Sequence, residues 1–199
     1  MQASGSQGEW AIRAALTRRK REHHASGSNV LFIDELGLMH ARSRVDLAVF
    51  NGHLHGYEIK SANDTLDRLP RQLYHYERAL QKLSLVVASG HLRKASALLP
   101  SWCGLLEVVE GPRGGLTFVS HQRATLNPDL DPFVMAHLLW RREAQALLIE
   151  RGASAADVNA PRARLYRMLT NELSLRELVP SIKAAMASRT GWRDRRPRS

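Results

Sequence analysis

Residues 44–60, RVDLAVFNGHLHGYEIK, contain two short runs of alternating side chains on either side of a turn. Successive side chains of a β-strand point to opposite faces of the sheet. Val45, Leu47 and Val49 are therefore predicted to share an apolar face, and Asp46 is predicted to lie on the other. This stretch predicts a β-hairpin that carries charged side chains on one face.

The length of the turn decides which residues of the hairpin face each other. A three-residue turn at 51–53 pairs Phe50 with Leu54 and, counting outward, Asp46 with Glu58. A two-residue Asn-Gly turn is the more familiar hairpin signal, but it would shift the pairing by one and put the charge of Glu58 on the apolar face. We therefore expect the three-residue turn, with the Cβ atoms of Asp46 and Glu58 about 4.5–5.5 Å apart.

Two interpretations of the charged face remain open from the hairpin alone. Like charges that face each other across a sheet are destabilising, and a divalent cation bound between Asp46 and Glu58 would remove that repulsion. Alternatively, these carboxylates and Lys60 form an ordinary solvated salt-bridge cluster, worth less than about 1 kcal/mol.

Composition narrows the class of protein. The chain of 199 residues has room for one ordinary domain and a small appendage. Its 29 Lys and Arg against 19 Asp and Glu give a net charge of +10, which suits a polyanionic partner such as nucleic acid. The single cysteine, Cys103, excludes an internal disulfide and a multi-cysteine zinc site. No signal peptide or membrane-length apolar run is evident, so we expect a cytoplasmic protein without a membrane partner.

Apolar periodicity and turn residues predict an αβββαβ order for the first part of the chain. Pro70 suits the first turn of the second helix. The short apolar run at 85–88 predicts a strand buried on both faces. The predicted elements are a helix at 8–22, a strand at 30–38, the two hairpin strands, a helix at 70–82, a strand at 85–88, a helix at 91–99, and strands at 105–109 and 116–119.

After residue 127 the pattern becomes entirely helical. Ser174 followed three residues later by Glu177 is a capping-box pattern that marks a helix start, and Pro180 is expected to break or kink the helix that follows. The predicted helices lie at 133–150, 161–173 and 175–187. The chain thus divides into an α/β core at 1–125, a helical C-terminal extension at 126–188 and a basic tail at 189–199.

These residues carry a resemblance to a known superfamily. Asp46 on one strand, Glu58-Ile59-Lys60 on the next and Gln72-x-x-x-Tyr76 on the following helix resemble the PD-(D/E)XK nucleases, in particular their RecB-like members. The chain also resembles a group of small bacterial proteins of that superfamily. Val45 stands where the signature proline would precede Asp46. The resemblance implies a restriction-endonuclease-like core, in which helices flank a mixed central sheet.

The resemblance also implies a metal site. Asp46 and Glu58, with the backbone carbonyl of Ile59, would hold Mg²⁺, with Mn²⁺ as an alternative, because hard cations prefer oxygen ligands. The ion would acidify a bound water, and Lys60 would orient that water or offset the developing negative charge.

Four further residues are candidates for supporting positions. Glu9 on the first helix and Glu35 on the first strand compete as the additional metal-side carboxylate. Gln72 and Tyr76 lie four positions apart and so share a helix face, from which both can point at the site.

Two functional classes follow. The first is a Mg²⁺-dependent nuclease that hydrolyses phosphodiester bonds in DNA, in repair, recombination or a phage-related process. The second is a protein that keeps the nuclease fold without cleavage and acts as a nucleic-acid-binding or regulatory module. In either case nucleic acid is the expected partner, Arg141 and Arg142 are candidate phosphate contacts, and the helical C-terminus is a candidate surface for a homodimer or a protein partner.

Overall fold

The structure, a computed structural model, describes residues 5–25, 29–111 and 114–190. Its centre is a six-stranded sheet in the order β1-β2-β3-β4-β5-β6. The strands are β1 Leu31–Leu38, β2 Ser43–Asn51, β3 His53–Lys60, β4 Lys82–Ala88, β5 Gly104–Glu110 and β6 Leu116–Gln122. The helices are α1 Gly5–His23, α2 Leu69–Ala79, α3 Leu92–Leu98, α4 Pro132–Ala136, α5 Arg141–Ile149, α6 Ala155–Val158, α7 Arg162–Glu172 and α8 Leu175–Ser188.

The sheet is mixed. Strands β1, β2 and β3 form an antiparallel meander, β4 runs parallel to both β3 and β5, and β6 is antiparallel to β5. The parallel step from β3 to β4 requires a crossover, which α2 supplies. The predicted α/β class, the αβββαβ order and the helical C-terminal region are therefore confirmed.

The hairpin has the predicted register. Asn51 pairs with His53 around Gly52, whose φ of +69° suits glycine, and Phe50 pairs with Leu54. The ladder continues to the pair of Leu47 with Tyr57 and ends there. Asp46 and Glu58 are the next residues along the two strands, so the candidate carboxylates lie where β2 and β3 stop pairing.

The predicted face of Val45 is wrong. Leu47 and Val49 pack on the α1 side of the sheet, but Val45 packs into the cluster on the opposite side. The alternation of side chains between the two faces of the sheet shifts by one residue at Asp46. The paired strand β1 shifts in the same way at Glu35, which adopts a left-handed φ of 54°. Because both strands slip together, their register is kept on either side of the irregularity.

Two apolar clusters lie on the two faces of the sheet. The smaller one joins α1, through residues such as Leu16, to β2, β3 and β4. The larger one joins the other face to α2, through Leu73 and Tyr76, and continues without interruption into the C-terminal helices through Leu165 and Ile182. The C-terminal helices therefore pack against the same core that supports α2.

The sequence misplaced several helix boundaries. The single helix predicted at 133–150 is two helices: α4 ends at Ala136 and α5 begins at Arg141, and between them the backbone carbonyl of Leu139 accepts a hydrogen bond from the Tyr166 hydroxyl at 2.7 Å. Helix α2 ends at Ala79 rather than at residue 82, and the short helix α6 was not predicted. Helix α8 starts at the predicted capping box and continues past Pro180.

Two other expectations concern the ends of the chain and membranes. Most of the predicted basic tail, residues 191–199, lies outside the described residues. Among the described helices, none combines the length and the apolar character that crossing a bilayer requires.

Asn127 connects the end of α2 to the C-terminal region. Its buried side chain donates to the carbonyls of Glu77 and of Leu80, the latter at 2.9 Å, and accepts from the Asp129 backbone amide at 2.9 Å. These carbonyls belong to the last turn of the helix that carries Gln72 and Tyr76. The amide thereby replaces the partners that a helix end lacks.

We expect Asn127→Ala to lower the free energy of unfolding by about 1–3 kcal/mol, because it leaves buried carbonyls without donors. The exposed side chain of Asn159 makes one hydrogen bond within its own helix region. Asn159→Ala is therefore the matched control and should lower the free energy of unfolding by under about 1 kcal/mol. Urea denaturation of both variants measures the difference. Equal losses would contradict a special role for Asn127.

Candidate active site

Glu58 is the most deeply buried acid of the candidate site, with 2% of its surface exposed. Its carboxylate meets three donors. Oε1 accepts from Lys60 Nζ at 2.8 Å and from Gln72 Nε2 at 2.6 Å, and Oε2 lies 2.6 Å from the Tyr76 hydroxyl. A buried carboxylate is tolerated only when it is paired and hydrogen-bonded in this way.

Helix α2 supplies two of these donors because its apolar residues hold it against the sheet. Leu69 and Leu73 are buried, and Gln72 and Tyr76 share the face that looks toward β3. The Gln72 side-chain oxygen also accepts from Lys60 Nζ at 3.1 Å, so one amide joins the lysine to the glutamate. The predicted grouping of Gln72 and Tyr76 with the strand residues is present in the structure.

Tyr76 links α2 to the start of β2. Its hydroxyl lies 2.7 Å from the backbone carbonyl of Arg44 as well as beside Glu58. Burial, reinforced by the charge of Glu58, raises the pKa of Tyr76. The hydroxyl is therefore a stable hydrogen-bond donor at every ordinary pH.

Asp46 lies at the point where the ladder between β2 and β3 ends. Its Oδ2 accepts a hydrogen bond from the backbone amide of Ile59 at 2.6 Å, in place of a strand partner. Burial, followed by the charge of Glu58, raises the pKa of Asp46 to about 8, although the Ile59 amide and Arg13 act in the opposite direction. Asp46 is thus a largely buried carboxylate whose nearest cation, the Arg13 guanidinium at 3.9 Å, does not offset the effects of burial and of Glu58.

Asp46 belongs to a cluster of three acids. One carboxylate oxygen from each of Glu9, Glu35 and Asp46 lies within 4.8 Å of the others. The sequence left Glu9 and Glu35 as competitors, and the structure brings both to Asp46. The slip of β1 and β2 at Glu35 and Asp46 accounts for this, because it turns the two strands toward the side where α1 places Glu9.

Arg13, which the sequence reasoning missed, lies among these acids. Its Nη2 is 2.5 Å from Glu9, 2.5 Å from Glu35 and 3.9 Å from Asp46. Its Nε is buried and has no hydrogen-bond partner among the described residues. The spacing of Glu9 and Arg13, four residues apart on a helix, is the one sequence signal for this contact. A guanidinium therefore neutralises the carboxylates where a cation would bind.

Most of these groups, but not Arg13 or Tyr76, line one cavity of about 540 Å³. Arg42, Arg68 and Arg71, exposed side chains that sequence reasoning did not single out, line its rim. Among the predicted site residues, Tyr76 lies beneath the cavity and bonds to Glu58. The others line it: Glu9, Glu35, Asp46, Glu58, Ile59, Lys60 and Gln72.

The donor chemistry of the cavity fits a hard divalent cation. Glu9, Glu35 and Asp46 offer clustered carboxylate oxygens, Glu58 lines the same cavity but is not part of that cluster, and no cysteine is among the lining residues. Oxygen ligands of this kind suit Mg²⁺ and Mn²⁺ rather than soft metals. The Ile59 amide faces Asp46, and a ligand role for the Ile59 carbonyl stays a prediction.

Comparison with known proteins shows the family. Residues 2–191 match the family model described as Bacteriophage P4 protein cII, so the chain belongs to that family. Protein cII of Enterobacteria phage P4 is 28% identical over 160 residues, which cover 78% of this chain and 60% of that protein. The chain thus spans about 60% of the length of this relative.

A solved structure is also similar. The SPO1766 protein of unknown function from Silicibacter pomeroyi aligns with 78% of this chain and 99% of its own, at 18% identity and a TM-score of 0.45.

The raised pKa of Asp46 predicts a pH-dependent stability. An acid whose pKa is higher in the folded protein stabilises the fold fully below its unfolded pKa near 4, and this stabilisation is lost as the pH rises toward 8. In metal-free protein, Asp46→Asn should therefore raise the free energy of unfolding at pH 8 by on the order of 2 kcal/mol and change it little at pH 4.

Denaturant unfolding in EDTA at the two pH values measures this difference. Asp34→Asn is the control, because Asp34 lies on the neighbouring strand with an exposed side chain. An Asp46→Asn variant that is destabilised equally at both pH values would show that the carboxylate is ionised without penalty.

Proposed function

We propose that the protein is a metal-dependent nuclease that hydrolyses phosphodiester bonds in DNA. The observation that carries this proposal is the buried Glu58 carboxylate, held by Lys60, Gln72 and Tyr76, next to Asp46 in an open cavity. The αβββαβ order with a mixed sheet supports a restriction-endonuclease-like core. Membership in a family named for a phage protein favours a phage-related process over general repair or recombination.

The carboxylates would hold the metal. Asp46 and Glu58 are the central ligands, and Glu9 or Glu35 completes the set on the α1 side, where both lie within reach of Asp46. When bound, Mg²⁺ or Mn²⁺ supplies an acidified water and offsets charge on the phosphate. Asp46, whose nearest cation is Arg13 at 3.9 Å, gains the most from that charge.

Lys60 would act on the reacting groups. The residue is 9% exposed and lines the cavity, and its ammonium lies 2.8 Å from Glu58. From this position it can donate a hydrogen bond to the attacking water or to a phosphate oxygen and stabilise negative charge as it develops. Gln72 bonds to both Lys60 and Glu58, so it is a positioning residue that keeps the two in one arrangement.

The rim of the cavity suits the phosphate backbone. Arg42, Arg68 and Arg71 are exposed, and within the described ranges none of the three forms an ion pair with an acid. Arginine binds phosphate in a bidentate manner. The carboxylates of the cavity would therefore bind the metal, and the three exposed arginines would bind the phosphates of the strand.

Arg13 supports a second candidate function. Its guanidinium pairs with Glu9 and Glu35 at 2.5 Å, and Arg44 pairs with Glu35 at 2.7 Å, so two of the three clustered acids have cationic partners without a metal. A protein that keeps this arrangement would bind nucleic acid through the basic rim and would not cleave it. The two candidates differ in whether a divalent cation displaces Arg13.

We expect the purified protein to cleave DNA in Mg²⁺ or Mn²⁺. Asp46→Asn and Lys60→Met should each lower the rate on the order of 100-fold or more, because each removes charge needed in the transition state. Asp34→Asn, an exposed acid on β1, is the control and should retain full activity. Linear, circular and branched DNA are compared in a gel assay, with RNA as an additional substrate.

The outcomes of this assay separate the two candidates. Cleavage that persists in Asp46→Asn would identify a contaminating nuclease. Binding of DNA with no cleavage by the parent protein in either metal would establish the non-cleaving module.

The position of Arg13 gives a prediction about metal affinity. We expect Arg13→Gln to bind Mn²⁺ about tenfold more tightly, because the cation no longer competes with a guanidinium at the same oxygens, a difference of about 1.4 kcal/mol. Electron paramagnetic resonance of free Mn²⁺ measures the affinity independently of cleavage.

The matched control for this experiment is Arg18→Gln, which removes an exposed arginine from the same helix. Its Mn²⁺ affinity should equal that of the parent protein. An unchanged or weaker affinity in Arg13→Gln would show that the guanidinium and the metal do not share a position.

A further inference from the structure

A second cavity, of about 360 Å³, adjoins the turn between β1 and β2. It lies between that turn, which belongs to the predicted nuclease core, and the C-terminal helices. Its lining combines aromatic rings with arginines: His40, His137, Trp140, Arg141, Arg162 and Tyr166. We refer to these six residues as the aromatic-arginine pocket.

The aromatic rings of the pocket are arranged in a stack. The rings of His40 and His137 lie 4.5 Å apart at an angle of 22°, and His137 lies 5.0 Å from Tyr166. Trp140 is 53% exposed, and the Arg189 guanidinium lies 4.3 Å from its ring centre. His40 and Trp140 are the exposed rings of the pocket, and Arg189 covers one face of the Trp140 indole.

The turn that carries His40 has an unusual backbone. Met39, His40 and Ala41 have φ angles of 50°, 58° and 64°, which are left-handed values at three successive residues that are not glycine. Such values are sterically disfavoured. Contacts outside the turn are needed to hold it, and the stacking of His40 on His137 is one of them.

Two arginines supply the positive charge. Arg141 and Arg162 are the first residues of α5 and α7, where the helix dipole disfavours a cation. Arg141 donates to the Asn159 carbonyl at 3.1 Å. Arg162 is exposed and forms no ion pair within the described residues. Arginine is thus slightly unfavourable for the helix at both positions. The two guanidinium groups are available to bind an anion.

The pocket retains this positive charge because the nearby acid is already paired. Glu143 accepts from Arg189 at 2.6 Å. Burial, and then the adjacent His40, lowers the pKa of His137 to about 4. The stacked histidine is therefore neutral near pH 7 and acts as a ring surface, while the arginines carry the charge.

The pocket and the carboxylate cavity are neighbours. His40 and Ala41 line the pocket, and Arg42 and Ser43 line the carboxylate cavity. Consecutive Cα atoms are only about 3.8 Å apart, so a ligand that spans both sites needs to pass over one turn. Arg42 lies at this passage.

We propose that the aromatic-arginine pocket binds an unpaired nucleotide of the nucleic-acid strand whose phosphodiester lies in the carboxylate cavity. The base stacks on the exposed ring of His40, and the phosphate is held by Arg162 and Arg141. An unpaired base is required, since a side chain can stack on a base only when the base is not enclosed in a duplex. The link to the carboxylate cavity rests on the proposed nuclease function, and the pocket itself does not.

Binding without metal tests the pocket separately from cleavage. Fluorescence anisotropy in EDTA measures the affinity for labelled single-stranded DNA, single-stranded RNA and duplex DNA. We expect Arg162→Gln and His40→Asn each to weaken single-strand binding about fivefold or more, as expected for one lost phosphate or stacking contact. Asparagine is chosen at position 40 because it tolerates a left-handed backbone.

Arg164→Gln is the matched control. Arg164 lies on the same helix as Arg162, but its exposed side chain pairs with Asp157 at 3.3 Å and lies outside the pocket. The salt dependence adds a second readout. Arg162→Gln should reduce the slope of log K against log salt by about 0.7, the value for one phosphate contact with a single strand, and Arg164→Gln should leave it unchanged.

The results distinguish the pocket from the proposed function. Weaker single-strand binding in both pocket variants supports the pocket even if the parent protein never cleaves DNA. Unchanged affinity and salt slope in both folded variants, with thermal unfolding like that of the parent, would overturn the pocket even if cleavage is observed. An equal loss of duplex binding would overturn the requirement for an unpaired nucleotide.

Discussion

The burial of the Glu58 carboxylate is the constraint on which the rest of the site depends. A carboxylate that is removed from water must be matched by donors, or its burial becomes too costly for a protein of ordinary stability. Here the donors come from β3 and α2, and Tyr76 continues the network to the Arg44 carbonyl at the start of β2. The same few hydrogen bonds therefore connect α2 to β2 and β3 at the cavity.

Negative charge is concentrated on the other side of that cavity at a cost in stability. The paired slip of β1 and β2 turns Glu35 and Asp46 toward Glu9, and Arg13 compensates part of the resulting repulsion. Burial, and then the charge of Glu58, raises the pKa of Asp46, and Arg13 offsets only part of this rise. Groups of this kind are often found at functional sites, and the basic rim above them matches the charge of a phosphate backbone.

The C-terminal helices are integrated with this core. Their apolar residues share a cluster with α2 and the sheet, and the family model extends across them to residue 191. They also form one wall of the aromatic-arginine pocket, whose other wall is the turn between β1 and β2. A single left-handed turn thus separates two cavities of different chemistry, one lined by carboxylates and the other by rings and arginines.

The sequence by itself determined the local features of this protein. Alternation and the odd-length turn predicted the register of the hairpin, and the four-residue spacing predicted that Gln72 and Tyr76 share a face, because these relationships depend on neighbours in one or two elements. Only the tertiary structure decided the slip at Glu35 and Asp46, the place of Arg13 among the acids, and the break in the helix predicted at 133–150. Each of these depends on side chains distant in sequence, such as Arg13 with Asp46 or Leu139 with Tyr166, and no local pattern encodes such contacts.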